Sequence, residues 1–275
     1  MKKLLSLIPT LLCAVLLLGC SDLVSLAENV LDFYLPATEP TMQTSEATTI
    51  PETPHPETSE ATLPPTEAEH SPLYIEGVTV EDVILYFNEV ALDAEFVGGG
   101  DPTRLQKWTV PILYTIYGEP TTEDLQTLYA FTEWLNTIEG FPGIYEAQGV
   151  GTTNLAIHFC TQDELLDIMG GDYINVDGAV TFWYDDDEIY DAVICYRTDL
   201  YQYLRNSVIL EEIYNSLGPV QDTELRPDSI IYSGFSEPQS LTPVDELILK
   251  LLYHPNMHCG MNAEECETVI RSLYY

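Results

Sequence analysis

Apolar positions along the chain change their spacing several times, and each change marks an element. From Val80 to Phe96 they fall at helical intervals, with Val83, Ile84, Phe87, Val90 and Ala91 on one face, until Gly98-Gly99-Gly100 interrupts the run. Trp108 to Tyr117 is dense in β-branched and aromatic residues and reads as a strand, with Pro111 marking an edge or a bulge. Thr121 and Thr122 followed by Glu123 and Asp124 form a helix start, and that helix runs to about Ile138, before Gly140. Asn154 to Cys160, Val180 to Tyr184 and Asp191 to Tyr196 read as three further strands. Leu200 to Leu217 is a helix stopped by Gly218-Pro219, Thr242-Pro243 opens another, and Asn262 caps a last one. Helix, strand, helix, strands, helix and C-terminal helices together predict an α+β fold: a mixed sheet with a packed central helix. Residues 73–275 are long enough for one sizeable core.

The first 72 residues follow other rules. Lys2 and Lys3 precede an apolar run from Leu4 to Leu18, and Leu17-Leu18-Gly19-Cys20 resembles a bacterial lipobox whose Cys becomes the lipidated first residue. The run is short for a spanning helix, so residues 1–20 read as a lipoprotein signal peptide. Cys20 is then the lipid anchor, on the extracytoplasmic face of a bacterial cell membrane. Asp22 to Leu35 has the makings of a short helix, and Pro36 to Pro72 is a Pro/Thr/Glu/Ser tract in which Thr44–Thr48 recurs as Thr58–Thr62. Too little apolar surface is available there to offset ordering entropy, so 21–72 reads as a disordered stalk. At about 3.1 Å per residue in polyproline II geometry, Pro36–Pro72 reaches on the order of 100 Å.

Charge narrows the partners. The chain carries 9 basic against 45 acidic residues, a net charge of −36. Such a surface repels phosphate backbones, which excludes nucleic acid, and it disfavours adsorption on anionic headgroups. Six Cys are present; Cys13 and Cys20 belong to the leader, leaving Cys160, Cys195, Cys259 and Cys266. An even number in an exported domain permits two disulfides, with Cys160–Cys195 and Cys259–Cys266 as the expected pairs. None has the Cys-x-x-Cys spacing of a zinc knuckle.

The candidate chemistry lies on the Leu200–Leu217 helix. Leu210-Glu211-Glu212-Ile213-Tyr214-Asn215-Ser216-Leu217-Gly218 has the frame of an H-E-x-x-H-x-x-G zinc-protease helix. Glu212 occupies the water-activating position, while Glu211 and Asn215 stand where the His ligands belong. Pro219-Val220-Gln221-Asp222 follows, where metzincins place their third ligand. Asp228 to Phe235 resembles the Met-turn, with Ile231 near the place of the Met, and leads into a Leu241-Thr242-Pro243-Val244-Asp245 and Leu252-Tyr253 helix. Taken as an ordered set, the chain resembles the bacterial exported family catalogued as domain of unknown function 2927. Trp108 with Val110-Pro111, Asn154, Arg205, Glu211-Glu212, Leu217-Gly218, Asp222, Leu241-Thr242, Leu252-Tyr253-His254-Pro255 and Gly260-Met261 carry that resemblance. It implies a zincin-like, metzincin-like fold without the zinc-ligand histidines, and no activity comes with it.

Glu211, Asn215, Gln221 and Asp222 offer oxygen alone, a set that suits Ca²⁺ better than Zn²⁺. Arg205, about two turns before Glu212, is expected to hold these carboxylates ionised in place of a metal. The expected protein is therefore a lipid-anchored, catalytically silent domain that binds a ligand or an envelope protein, with no metal or other cofactor. The alternative is a peptidase-like hydrolase using Glu212 with a nonstandard metal site.

Overall fold

The structure, a computed structural model, describes residues 71–92, 104–148 and 151–275. The leader, Cys20, the Asp22–Leu35 helix, the Pro36–His70 tract and the Gly98–Gly100 break lie outside the described residues. The described part opens at Ser71, whose hydroxyl donates to the carbonyl of Leu273 near the C-terminus.

Helix α1 (Val80–Leu92) buries Val80, Val83, Ile84, Phe87, Val90 and Ala91, the face its spacing predicts. The expected Trp108–Tyr117 strand is divided. Pro111, which has no amide hydrogen for a ladder, separates β1 (Lys107–Trp108) from β2 (Ile112–Gly118). β2 is not an edge strand; it lies between β3 (Ile144–Glu146) and β4 (Leu155–Cys160). β5 (Gly178–Asp185) and β6 (Glu188–Arg197) form an antiparallel hairpin. The sheet order is β1-β6-β4-β2-β3, parallel throughout, and β5 is attached to β6. β4 and β5 pair with overlapping stretches of β6, so they occupy its two opposite edges. β5 therefore ends the sheet, and among the described residues no strand pairs with its outer edge.

Helix α2 (Thr122–Leu135) joins β2 to β3, and α3 (Gln162–Met169) joins β4 to β5. α3 and the short β3 are additions to the elements expected from apolar spacing. α3 is announced only by its cap, in which Thr161 and Glu164 exchange hydrogen bonds. Thr121–Asp124, Thr242–Asp245 and Asn262–Glu265 close the same reciprocal box on α2, α5 (Pro243–Leu252) and α6 (Ala263–Tyr274).

Between sheet and helices lies α4 (Gln202–Ser216), with eleven of its 15 residues buried. Its C-terminal carbonyls are satisfied from afar: Trp108 Nε1 donates to Ser216 O at 2.9 Å and Tyr253 Oη to Leu217 O at 2.8 Å. Gly218 ends the helix at φ 129°, where a Cβ would stand 2.5 Å from Gln106 O. Beyond it, the Asp228–Phe235 segment is fixed by Asp245, which is fully buried. Asp245 accepts from Tyr86 Oη, Ser229 Oγ, Thr242 N and Oγ1, and Ile230 N, and so ties α1, this turn and α5 together.

Asp245→Ala strands several buried donors at once, each costing about 1–3 kcal/mol. Urea unfolding is expected to show a loss of roughly 3 kcal/mol or more for this variant, against under about 0.5 kcal/mol for the exposed control Asp228→Ala.

Candidate functional site

The site helix α4 packs on β5 and β6 on one side and on α2 on the other. Ile209, Ile213 and Leu217 form one fully buried side of the helix. The Val208–Glu212 side meets the sheet at the start of β5. A Cβ built on Gly178 would stand 2.5 Å from Val208 Cγ1 and 2.7 Å from Glu212 Oε1. Glycine is what lets the strand lie against that carboxyl. Glu212 is 7% exposed, and Asn215, 8% exposed, leaves its Oδ1 buried without a hydrogen-bond partner. Glu211 retains partial contact with solvent.

Arg205 does not neutralise these carboxylates, contrary to the expectation. Its guanidinium forms an ion pair with Asp124 of α2, which is fully buried, and donates to Thr198 O at 3.0 Å. Gln202 Nε2 donates to the second oxygen of Asp124 at 2.7 Å, and Thr121 N to the first. The reason is geometric: seven residues along a helix displace Arg205 by about 10 Å from Glu212, and a nearer acid on another element takes the charge. Asp124 reads locally as a cap residue, and only the packing of α2 on α4 reveals its second role.

Asp222 lies close enough to Glu211 and Glu212 for its charge to act on both. Burial pushes the Glu211 carboxyl up to about 8, reinforced by the charges of Asp222 and Asp177. Burial, then Glu211 and Asp222, hold Glu212 well above the usual carboxylate range. The Gln221 amide nitrogen donates to Asp222 O at 3.3 Å. Each described basic residue has a partner of its own. Arg104 donates to Gly260 O, Lys107 to Leu252 O and Met257 O, and Arg197 pairs with Asp177 and Asp199. Arg226 pairs with Asp228, Lys250 with Glu246, and Arg271 with Glu81 and Glu267.

The donor set is all oxygen, which suits a hard ion rather than zinc. Among the described residues, no three His, Cys, Asp or Glu side chains converge to hold a metal ion. Cys160, Cys195, Cys259 and Cys266 are free thiols in the structure, not the two disulfides their number suggested. Cys160 and Cys195 are nevertheless neighbours: Cys195 lies opposite His158, two residues before Cys160, and the nearby Cys195 side chain lowers the Cys160 thiol. Cys259 points at Lys107 O at 3.7 Å. His158 stacks on Tyr117 at 4.7 Å on the outer sheet face, as a strand-face residue does.

Two outcomes follow from this geometry. Arg205→Ala is expected to cost about 3–5 kcal/mol because it leaves Asp124 buried and unpaired. Its effect is expected to add to that of Glu211→Gln within about 0.5 kcal/mol and to couple strongly to that of Asp124→Asn, as read from denaturant unfolding of both double-mutant cycles. The second outcome concerns pH. A carboxyl whose folded value lies above its ordinary 4.5 binds more protons in the folded state. Stability is therefore full below pH about 4.5 and falls as pH rises towards about 8. Glu211→Gln is expected to flatten that fall, measured as unfolding free energy between pH 5 and 8.5.

A family model described as "Protein of unknown function (DUF2927)" matches residues 81–272. Comparison with curated proteins gives no match. The matched stretch contains α1, the whole sheet, α4 and its carboxylates, the Asp245 turn and α5, and covers well over half of the sequence. The chain belongs to the DUF2927 family.

Proposed function

We propose that this DUF2927 domain is a zincin-like, catalytically silent binding module, held on the outer face of a bacterial membrane through Cys20. It accepts an extended segment of an envelope protein along the open edge of β5. A mixed sheet backed by a buried helix and followed by C-terminal helices supports the zincin-like reading. The carrying observation for binding is the outer edge of β5, a row of backbone donors and acceptors beside the site helix. A register shift at Trp183/Tyr184 and the acidic turn at Asp185–Asp187 discourage pairing at one end, so the usable stretch is Gly178–Phe182. Against hydrolysis stands Glu212 itself: its side chain is packed on Gly178 rather than opened to a water.

Its raised carboxyl, with Glu211 beside it, also favours a second reading, because paired carboxyls of this kind serve acid–base catalysis. A peptidase and glycosidase screen of native protein against Glu212→Gln separates the two. No turnover in either protein is expected, and turnover lost in the variant would establish the hydrolase.

Docking is checked by hydrogen exchange. A blocked threonine–valine heptapeptide is expected to slow amide exchange selectively in Gly178–Phe182; unchanged exchange at saturating peptide refutes the docking edge. For the anchor, Cys20→Ser is expected to move the protein from the detergent phase to the aqueous phase. Unchanged partition would refute it.

A further inference from the structure

The turn of the β5–β6 hairpin carries a cavity to which α4 contributes no residue. Tyr184, Asp185, Asp186, Glu188 and Tyr190 line it, and its volume is about 580 Å³. Tyr184 and Tyr190 are each about half exposed, so two aromatic faces are left in water at one concave site. Glu188 Oε2 accepts from Thr109 Oγ1 at 2.8 Å. The carboxylates of Asp185 and Asp186 take no side-chain hydrogen bond or ion pair among the described residues, and no lysine or arginine lines this cavity. Asp186 and Asp187 form the turn itself, at φ 49° and 64°. A turn this short leaves the acids little freedom to move away from the tyrosines. A second cavity of about 460 Å³ shares Asp186 and Glu188 with the first, and Pro142, Pro255 and Met257 extend its wall. Its one lysine, Lys107, is buried and donates to Leu252 O and Met257 O at 2.9 and 2.7 Å. The shared residues make the two cavities one surface across the hairpin end.

We propose that this surface docks a segment of a partner protein through an arginine, whose guanidinium enters the cavity lined by Tyr184 and Tyr190. The inference stands apart from strand pairing on β5, because none of residues 178–182 lines either cavity. Charge complementarity selects the occupant. A guanidinium is planar, always charged, stacks on aromatic faces and presents a fork of donors to carboxylates. The first cavity supplies tyrosine faces and unpaired carboxylates together. A metal ion is a poorer fit: among the described residues no three His, Cys, Asp or Glu side chains converge to hold one. A free amine is poorer too. The neighbouring cavity adds Pro142, Pro255 and Met257, which the chain on either side of an arginine covers and a small amine leaves bare. The net charge of −36 draws a basic segment towards the domain.

The test follows amide shifts of the ¹⁵N-labelled full chain. The probes are a blocked Gly-Ser-Gly-Arg-Gly-Ser-Gly peptide, the same peptide with lysine or with citrulline at the centre, and argininamide alone. Citrulline keeps the planar shape and removes the charge. The arginine peptide is expected to shift the amides of residues 184–190. It is expected to bind about tenfold tighter than the citrulline peptide and about threefold tighter than the lysine peptide. Asp185→Asn and Asp186→Asn are each expected to reduce the first ratio. Asparagine is compatible with the positive φ at position 186, so the turn is retained. Tyr190→Ala is expected to abolish the second ratio, while Glu133→Gln, an exposed acid on α2, leaves both unchanged. Equal binding of the arginine and citrulline peptides, or no binding by either, would overturn the proposal. So would equal binding of arginine and lysine peptides that Tyr190→Ala leaves unchanged, which is the general attraction of an acidic surface. Argininamide binding as tightly as the peptide would assign the cavity to a small amine instead. Shifts confined to residues 178–182 would remove the hairpin site and leave strand docking standing.

Discussion

The burial of α4 governs the rest of the structure. This helix is enclosed by the sheet, by α2 and by the segments that follow it, yet it carries an arginine, two glutamates and, at Asn215, a buried asparagine. A buried polar group without a partner costs more than an ordinary hydrogen bond contributes. Each of these residues therefore dictates something about its surroundings. Arg205 requires Asp124, so α2 must sit on α4. The helix terminus requires the Trp108 indole and the Tyr253 hydroxyl, which draws β1 and the end of α5 to one place. Glu212 requires a glycine at position 178, and burial holds its carboxyl well above the usual carboxylate range.

Charge is distributed with little slack. The sequence is overwhelmingly acidic, and each basic residue in the described part has a partner of its own. Exposed acids are tolerated because water and salt screen them. Glu211 and Glu212 are partly or wholly removed from water, and burial first, then the neighbouring acids, raises both carboxyls. A stable fold thereby retains two raised carboxyls near an open strand edge. That coincidence underlies the binding reading. Glu212 is packed against the Gly178 backbone rather than open to solvent.

Much of the architecture is legible in local sequence. The α1 apolar stripe, the Thr121, Thr242 and Asn262 caps, the β4–β6 strands and the Gly218 stop all rest on interactions within a few residues, where spacing and side-chain type suffice. α3 was missed because it buries only Leu165 and so shows no apolar period. The division of Trp108–Tyr117 was only half visible, because Pro111 announces a break without saying which side of it stays in the sheet. The assignment of Arg205 went wrong for the opposite reason. Its neighbours in sequence were acidic and attractive, while its partner lies 81 residues away.

The sequence alone therefore determined the class of fold, the composition of the site helix and the excess of oxygen ligands over nitrogen and sulfur, because these depend on residue identity and local period. Tertiary structure alone decided which acid takes Arg205, that Gly178 meets Glu212, that the four thiols stand free and that β5 ends the sheet with an unpaired edge. Those outcomes depend on which elements pack together across long separations. One buried guanidinium can satisfy only the carboxylate that packing brings to it.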